Sequence, residues 1–201
     1  MIGKWNKSVI LSYIGLAISI LGIFLIYKGI ETKYVLICLM VAGICDLFDG
    51  TVARRCKRTE EEKLFGVELD SLIDVVNFLV FPVIILLSLG INSWYSILVY
   101  ILYILFGVAR LAFFNITTED MNKPRKYYEG LPVTYAALLF PIIYLLSYLL
   151  KQDIFNLIYL LSAFIISILF IIRVKIPKPR LVSSLLLIVV AIIITVVYII
   201  L

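Results

Sequence analysis

Histidine is absent from the whole of this 201-residue chain. That excludes imidazole as a general acid or base, and with it any His-containing nucleophilic triad. Cysteine is scarce: Cys38, Cys45 and Cys56 are odd in number and form no Cys-x-x-Cys pair. With no histidine to complete a ligand set, a zinc site is not expected. Cys38 and Cys45 read as small apolar helix residues. Charge is the third scarcity. Asp, Glu, Lys and Arg make up 15% of the chain, against about a quarter in soluble domains. No polar stretch is long enough to form a soluble domain, and no internal repeat is visible.

Apolar sequence fills the space that charge leaves. The chain is 64% hydrophobic with a mean hydropathy of +1.14. A helix crosses a bilayer with about 20 apolar residues, and seven runs qualify: 9–28, 34–51, 68–89, 94–115, 131–150, 154–172 and 181–201. The first lacks a small-residue cleavage site and is long for a signal peptide, so it reads as a retained helix. The expectation is an all-α integral membrane protein, a polytopic helical bundle forming a single domain over 1–201.

Basic residues set the expected orientation. With the amino terminus in the cytoplasm, the inner segments 1–8, 52–67, 116–130 and 173–180 hold most of the lysines and arginines. The outer connections hold only Lys28, Lys33 and Lys151. That asymmetry follows the positive-inside rule and places the chain in the cytoplasmic membrane with Asp46–Asp74 facing the cytoplasm. The run Arg54–Lys63 reads as a solvated loop at headgroup level, attractive to anionic lipid.

Four carboxylates stand out in this setting. Asp46 and Asp49 close the second run, and Asp70 and Asp74 open the third. Spacings of three and four place each pair on one helix face. A short connection lets the two faces meet, where four like charges would repel one another. A divalent cation removes that conflict, and all-oxygen ligation suits Mg²⁺ or Mn²⁺, with Ca²⁺ also admissible. Four carboxylates suffice for two ions sharing ligands, an arrangement suited to phosphoryl transfer. Gly50, Ala53 and Gly66 leave room for a phosphate or nucleotide to approach the backbone, and Arg54 suits a phosphate oxygen. On these residues alone, a metal centre and a cation-coupled transport pathway both account for the intramembrane acids.

The pattern Asp46-x2-Asp49-Gly50-x2-Ala53-Arg54, then Gly66-x3-Asp70-x3-Asp74, resembles the signature of the CDP-alcohol phosphotransferase family. Eleven residues separate Arg54 from Gly66, where the family usually has eight or nine. The resemblance implies six core transmembrane helices, with the seventh run here an addition at the C-terminus. It implies transfer of a substituted phosphoryl group from a CDP-linked alcohol to a second alcohol, with release of CMP. Asp46, Asp49 and Asp70 would be metal ligands, with Asp74 close to the metals and acting as the general base. Asp49, Gly50, Ala53, Arg54 and Gly66 would hold the CDP portion. Family members commonly form homodimers, and a nucleic-acid partner is not implied.

Three further stretches resemble the bacterial and archaeal phosphatidylserine synthase branch: residues 68–78, 109–115 and 128–137. After Phe78 that branch usually has Gly-x-Ala-Pro, whereas Leu79-Val80-Phe81-Pro82 stands here. The implied partners are a CDP-lipid and L-serine in a lipid bilayer. Free serine carries a carboxylate, so its pocket needs a cation, and Arg110 lies inside an apolar run where an unpaired guanidinium is costly. Arg110 is therefore a candidate for the serine carboxylate or a lipid phosphate, with an ion pair to an aspartate as the alternative. Asn115, Lys123 and Arg125 are weaker candidates for the same role. Glycerol phosphate or inositol phosphate remains the alternative acceptor.

Overall fold

A computed structural model describes residues 3, 4, 6–119, 127–177 and 181–201. Its long helices follow the apolar runs. A single 3₁₀ turn, Lys7–Val9, is capped by the Asn6 side chain, which accepts from the Ser8 N–H. Helix α1 (Ile10–Tyr27) follows directly, and α2 (Thr32–Arg55) packs back along it. Helix α3 (Glu60–Asp74), a π turn (Val75–Val80) and α4 (Phe81–Ser88) form one continuous apolar rod. Then come α5 (Trp94–Glu119), α6 (Ala136–Tyr144), α7 (Gln152–Ile171) and α8 (Leu181–Ile200).

Five helical segments are long and apolar enough to cross a membrane, and two shorter apolar helices lie at Val133–Tyr148 and Leu185–Ile200. Their outward faces carry exposed Ile14, Leu21, Leu98, Leu105 and Ile165. Water would penalise such a surface; a bilayer solvates it, and helices satisfy their own backbone there. The fold is a polytopic helical membrane bundle. A feature the all-α reading lacked is a short antiparallel pair, β1 (Tyr127–Glu129) with β2 (Lys175–Pro177), in register Tyr128 to Ile176. Gly130 ends β1 at φ +76°, where a Cβ would lie 2.6 Å from the Phe170 carbonyl oxygen. Only glycine allows the chain to turn this close to the end of α7.

The core is built where α2, the α3–α4 rod, α5, α6 and α7 meet. Leu36, Leu39, Phe78, Phe81, Phe140 and Tyr159 are buried there. At Gly43 the backbone of α2 comes so near α6 that a Cβ would sit 2.5 Å from the Ala137 Cβ. The segment that departs from the synthase branch has a structural consequence. Pro82 has no N–H to offer the Phe78 carbonyl four residues earlier. The Phe81 N–H bonds to the Val76 carbonyl, the five-residue reach of a π turn,. Tyr103 of α5 donates its hydroxyl to the Phe78 carbonyl at 2.8 Å, both groups being buried. Elsewhere Tyr198 of α8 donates to the carbonyl of Pro141 itself at 2.6 Å, tying α8 to α6.

The connection between α2 and α3 is shorter than the sequence reading allowed. The run Arg54–Lys63, expected to be a solvated loop, is helical at both ends, leaving only Cys56–Thr59 between the two helices. Thr59 and Glu62 form a reciprocal capping box, with Thr59 N–H to Glu62 at 2.7 Å and Glu62 N–H to Thr59 Oγ1 at 3.2 Å. Glu60, Glu61 and Glu62 sit in the first turn, where the helix dipole favours acids,. The Thr-x-x-Glu spacing carried this signal, but the density of charge obscured it.

Candidate metal and nucleotide site

Asp46 and Asp49 lie in the last turns of α2, and Asp70 and Asp74 in the last turns of α3. Only Cys56–Thr59 join α2 to α3, and the acidic faces of the two helices meet. One carboxylate oxygen from each of Asp46, Asp49 and Asp70 lies within 4.8 Å of the other two. Asp74 stands outside that trio. It is deeper, 7% exposed, and its Oδ1 is buried without a hydrogen-bond partner. Its carboxyl group is within hydrogen-bonding reach of Asp46, as that of Asp70 is of Asp49.

Like charges this close repel one another, and a cation between them relieves that repulsion. The donor set is oxygen only, three half-buried carboxylates with a fourth beside them whose Oδ1 has no partner. That set fits a hard divalent cation and does not fit a soft one.

Space beside the acids is left open at Gly50 and Gly66. A Cβ built on Gly50 would find Arg54 Nη1 at 3.6 Å, and one on Gly66 would find Arg58 Nη1 at 3.8 Å. Both are ordinary contacts with the ends of flexible side chains, so packing does not demand glycine at either position. Gly43 contrasts with them, being held by a neighbouring helix. Ala53 is half-buried on the last turn of α2. Arg54 curls back over this turn, its Nη2 donating to Thr51 Oγ1 at 3.0 Å. Arg58 was read only as part of a charged loop; its buried Nε has no hydrogen-bond partner. Only the short connection brings it next to Gly66, and no spacing rule in the sequence points there.

The acceptor side shows a mixed picture. Arg110 is 8% exposed, its guanidinium 5.2 Å from the Phe114 ring centroid, and its charge is within electrostatic reach of Asp46. Asn115 is engaged with Ser71, next to Asp70: Ser71 donates to Asn115 Oδ1 at 3.2 Å, and Asn115 Nδ2 reaches Ser71 Oγ at 2.9 Å. That pair fastens α5 to α3. Lys123 and Arg125 lie outside the described residues.

Two partners from the N-terminal segment were not foreseen. Ser12 of α1 donates to Asp49 Oδ2 at 2.8 Å. Lys4 pairs with Glu61 at 2.6 Å, and that hydrogen bond pushes the Lys4 ammonium above its ordinary value. Serine at one position in an apolar helix gives no sequence signal of such a role.

Fold and site together define a class: a polytopic helical membrane protein whose carboxylates converge from two adjacent helices. The sequence profile described as CDP-alcohol phosphatidyltransferase matches residues 5–201, and the chain belongs to that family. Among its relatives, the CDP-diacylglycerol–serine O-phosphatidyltransferase of Saccharomyces cerevisiae is 39% identical over 100 residues, covering 47% of this chain and 35% of the relative. The archaetidylserine synthase of Methanothermobacter thermautotrophicus is 36% identical over 113 residues, covering 56% and 46% respectively. A CDP-diacylglycerol–serine O-phosphatidyltransferase of Helicobacter pylori is 37% identical over 123 residues, covering 59% and 50%. The matched stretches thus span half or less of the length of these relatives.

Proposed function

We propose that this chain transfers a phosphatidyl or archaetidyl group from a CDP-lipid to the hydroxyl of L-serine and releases CMP. The observation that carries the reading is the convergence of Asp46, Asp49 and Asp70 within 4.8 Å beside the open floor at Gly50 and Gly66. The relatives' names supply the substrate class.

Asp46, Asp49 and Asp70 would hold the divalent cation, Mg²⁺ or Mn²⁺, and Asp74 would be the further carboxylate for a second ion. When bound, such ions neutralise the charge of the diphosphate and of the departing CMP. Arg54 and Arg58 offer guanidinium donors to the CDP diphosphate over Gly50 and Gly66, and Ala53 adds no bulk there. Asp74 takes the proton of the serine hydroxyl as its oxygen bonds to the lipid-bearing phosphorus and the bond to CMP breaks. Arg110 receives the serine carboxylate, a role that offsets the cost of burying its charge. Asn115 holds α3 in place through Ser71. Residues 1–201 act as one unit in this scheme. The amino terminus and the site face the cytoplasm, in the cytoplasmic membrane, and the protein works as a homodimer.

CMP release by purified protein with Mn²⁺ or Mg²⁺ tests the reading, using ester and ether CDP-lipids. Serine, glycerol 3-phosphate and inositol phosphate are offered separately. Release with serine alone is expected. Release with another acceptor instead would overturn the serine assignment and keep the family chemistry.

A further inference from the structure

Several serines in this bundle follow the usual pattern for helices, returning their proton to a carbonyl of their own segment. Ser88 donates to the Ile85 carbonyl, Ser162 to Tyr159 and Ser167 to Phe164, at 2.6–2.7 Å. Ser12 does something else. Though only 8% exposed and flanked by apolar residues of α1, it crosses to α2 and donates to Asp49 Oδ2 at 2.8 Å, across 37 residues of sequence.

From this geometry we infer that Ser12 is a positioning residue for the cation site, holding the Asp49 carboxylate in the rotation at which it meets Asp46 and Asp70. The inference rests on the metal reading proposed above and deepens it. A carboxylate on a helix turns easily about its terminal torsion. A hydroxyl proton on one lone pair of Oδ2 stops that rotation and leaves the other lone pairs for a cation. Such outer partners commonly govern metal affinity nearly as strongly as the ligands themselves. The N-terminal segment supports the same arrangement from its other end, since Lys4 pairs with Glu61 and Asn6 reaches Glu62 on α3. Lys4, Asn6 and Ser12 thereby touch both acidic helices, though they lie outside the eight-position motif.

Mn²⁺ uptake by the purified full chain in detergent, followed by loss of the free-ion electron paramagnetic resonance signal, tests this directly. Ser12→Ala should weaken Mn²⁺ binding by about 10- to 100-fold. Ser12→Thr keeps the hydroxyl and should stay within about threefold of wild type. Ser8→Ala is the control for packing: Ser8 is equally buried on the same segment, and its hydroxyl has no partner. It should bind Mn²⁺ as wild type does. In an Asp49→Asn background, Ser12→Ala should add nothing. Should Ser12→Ala fail to fold, Ser12→Cys keeps the volume with a poorer donor and should also weaken binding. Unchanged affinity in the folded Ser12 variants, or an equal loss in Ser8→Ala, overturns the inference and leaves the metal reading standing. Wild type taking up no Mn²⁺, or Asp49→Asn binding it normally, overturns both.

Discussion

Asp74 and Asp46 carry the same functional group in different surroundings, and the difference separates their tasks. Asp46 joins the group of three, whereas Asp74 is 7% exposed with one oxygen unpartnered. Asp74→Asn preserves shape and removes the proton acceptor, so turnover should fall by at least about 10²-fold. The unfolding midpoint should change little; normal CMP release by this variant would remove Asp74 as base. Arg110→Ala should raise the KM for serine more than the KM for CDP-lipid in steady-state CMP assays. Equal increases would assign Arg110 to the Asp46 side of the site or to lipid phosphate. The four aspartates and their pairing were legible from spacing alone, because three and four residues repeat the helix turn. Ser12 and Arg58 were not, because nothing local distinguishes a packing serine or a loop arginine from one aimed at a carboxylate or a phosphate.

Helices reach the site with one irregularity, placed immediately after Asp74. The π turn Val75–Val80 and Pro82 leave the Phe78 carbonyl to Tyr103. Tyr103→Phe should cost about 1–3 kcal/mol, the penalty of an unsatisfied buried carbonyl, read as a lowered unfolding free energy in detergent. Adding Pro82→Ala should recover part of that loss, because it restores an N–H that can serve Phe78. At the glycines, two similar substitutions should part company. Gly43→Ala drives a Cβ against Ala137 and should lower the unfolding midpoint. Gly50→Ala meets only the end of Arg54, so stability should hold while affinity for CDP, measured by titration calorimetry, declines. Helix positions were readable from the apolar runs. The start of α3 at Glu60 was missed because its capping box sits in a charged stretch that hydropathy assigns to solvent.

Across the whole molecule, orientation and access to water are coupled. Cys56 lies half-exposed in the connection beside the carboxylates, while Cys38 and Cys45 are buried. A membrane-impermeant maleimide should therefore leave intact cells' protein unlabelled and modify Cys56 once the membrane is permeabilised. Labelling of intact cells at Cys56 would invert the proposed topology.

Composition by itself determined that this chain is a membrane bundle, because 64% apolar residues in helix-length runs have no other stable solvent,. The ordered motif determined the family, since fixed acids and small residues at helical spacing report chemistry independently of the rest of the fold. Tertiary structure alone decided which oxygens converge, that Asp74 lies deeper beside Asp46 with one oxygen unpartnered, and that α1 supplies a partner to Asp49. Those are distances between segments far apart in the chain, and only packed backbones set them. The same holds for the pairing of Tyr103 with Phe78: a proline announces that a carbonyl will lack its donor, but not which helix will answer it.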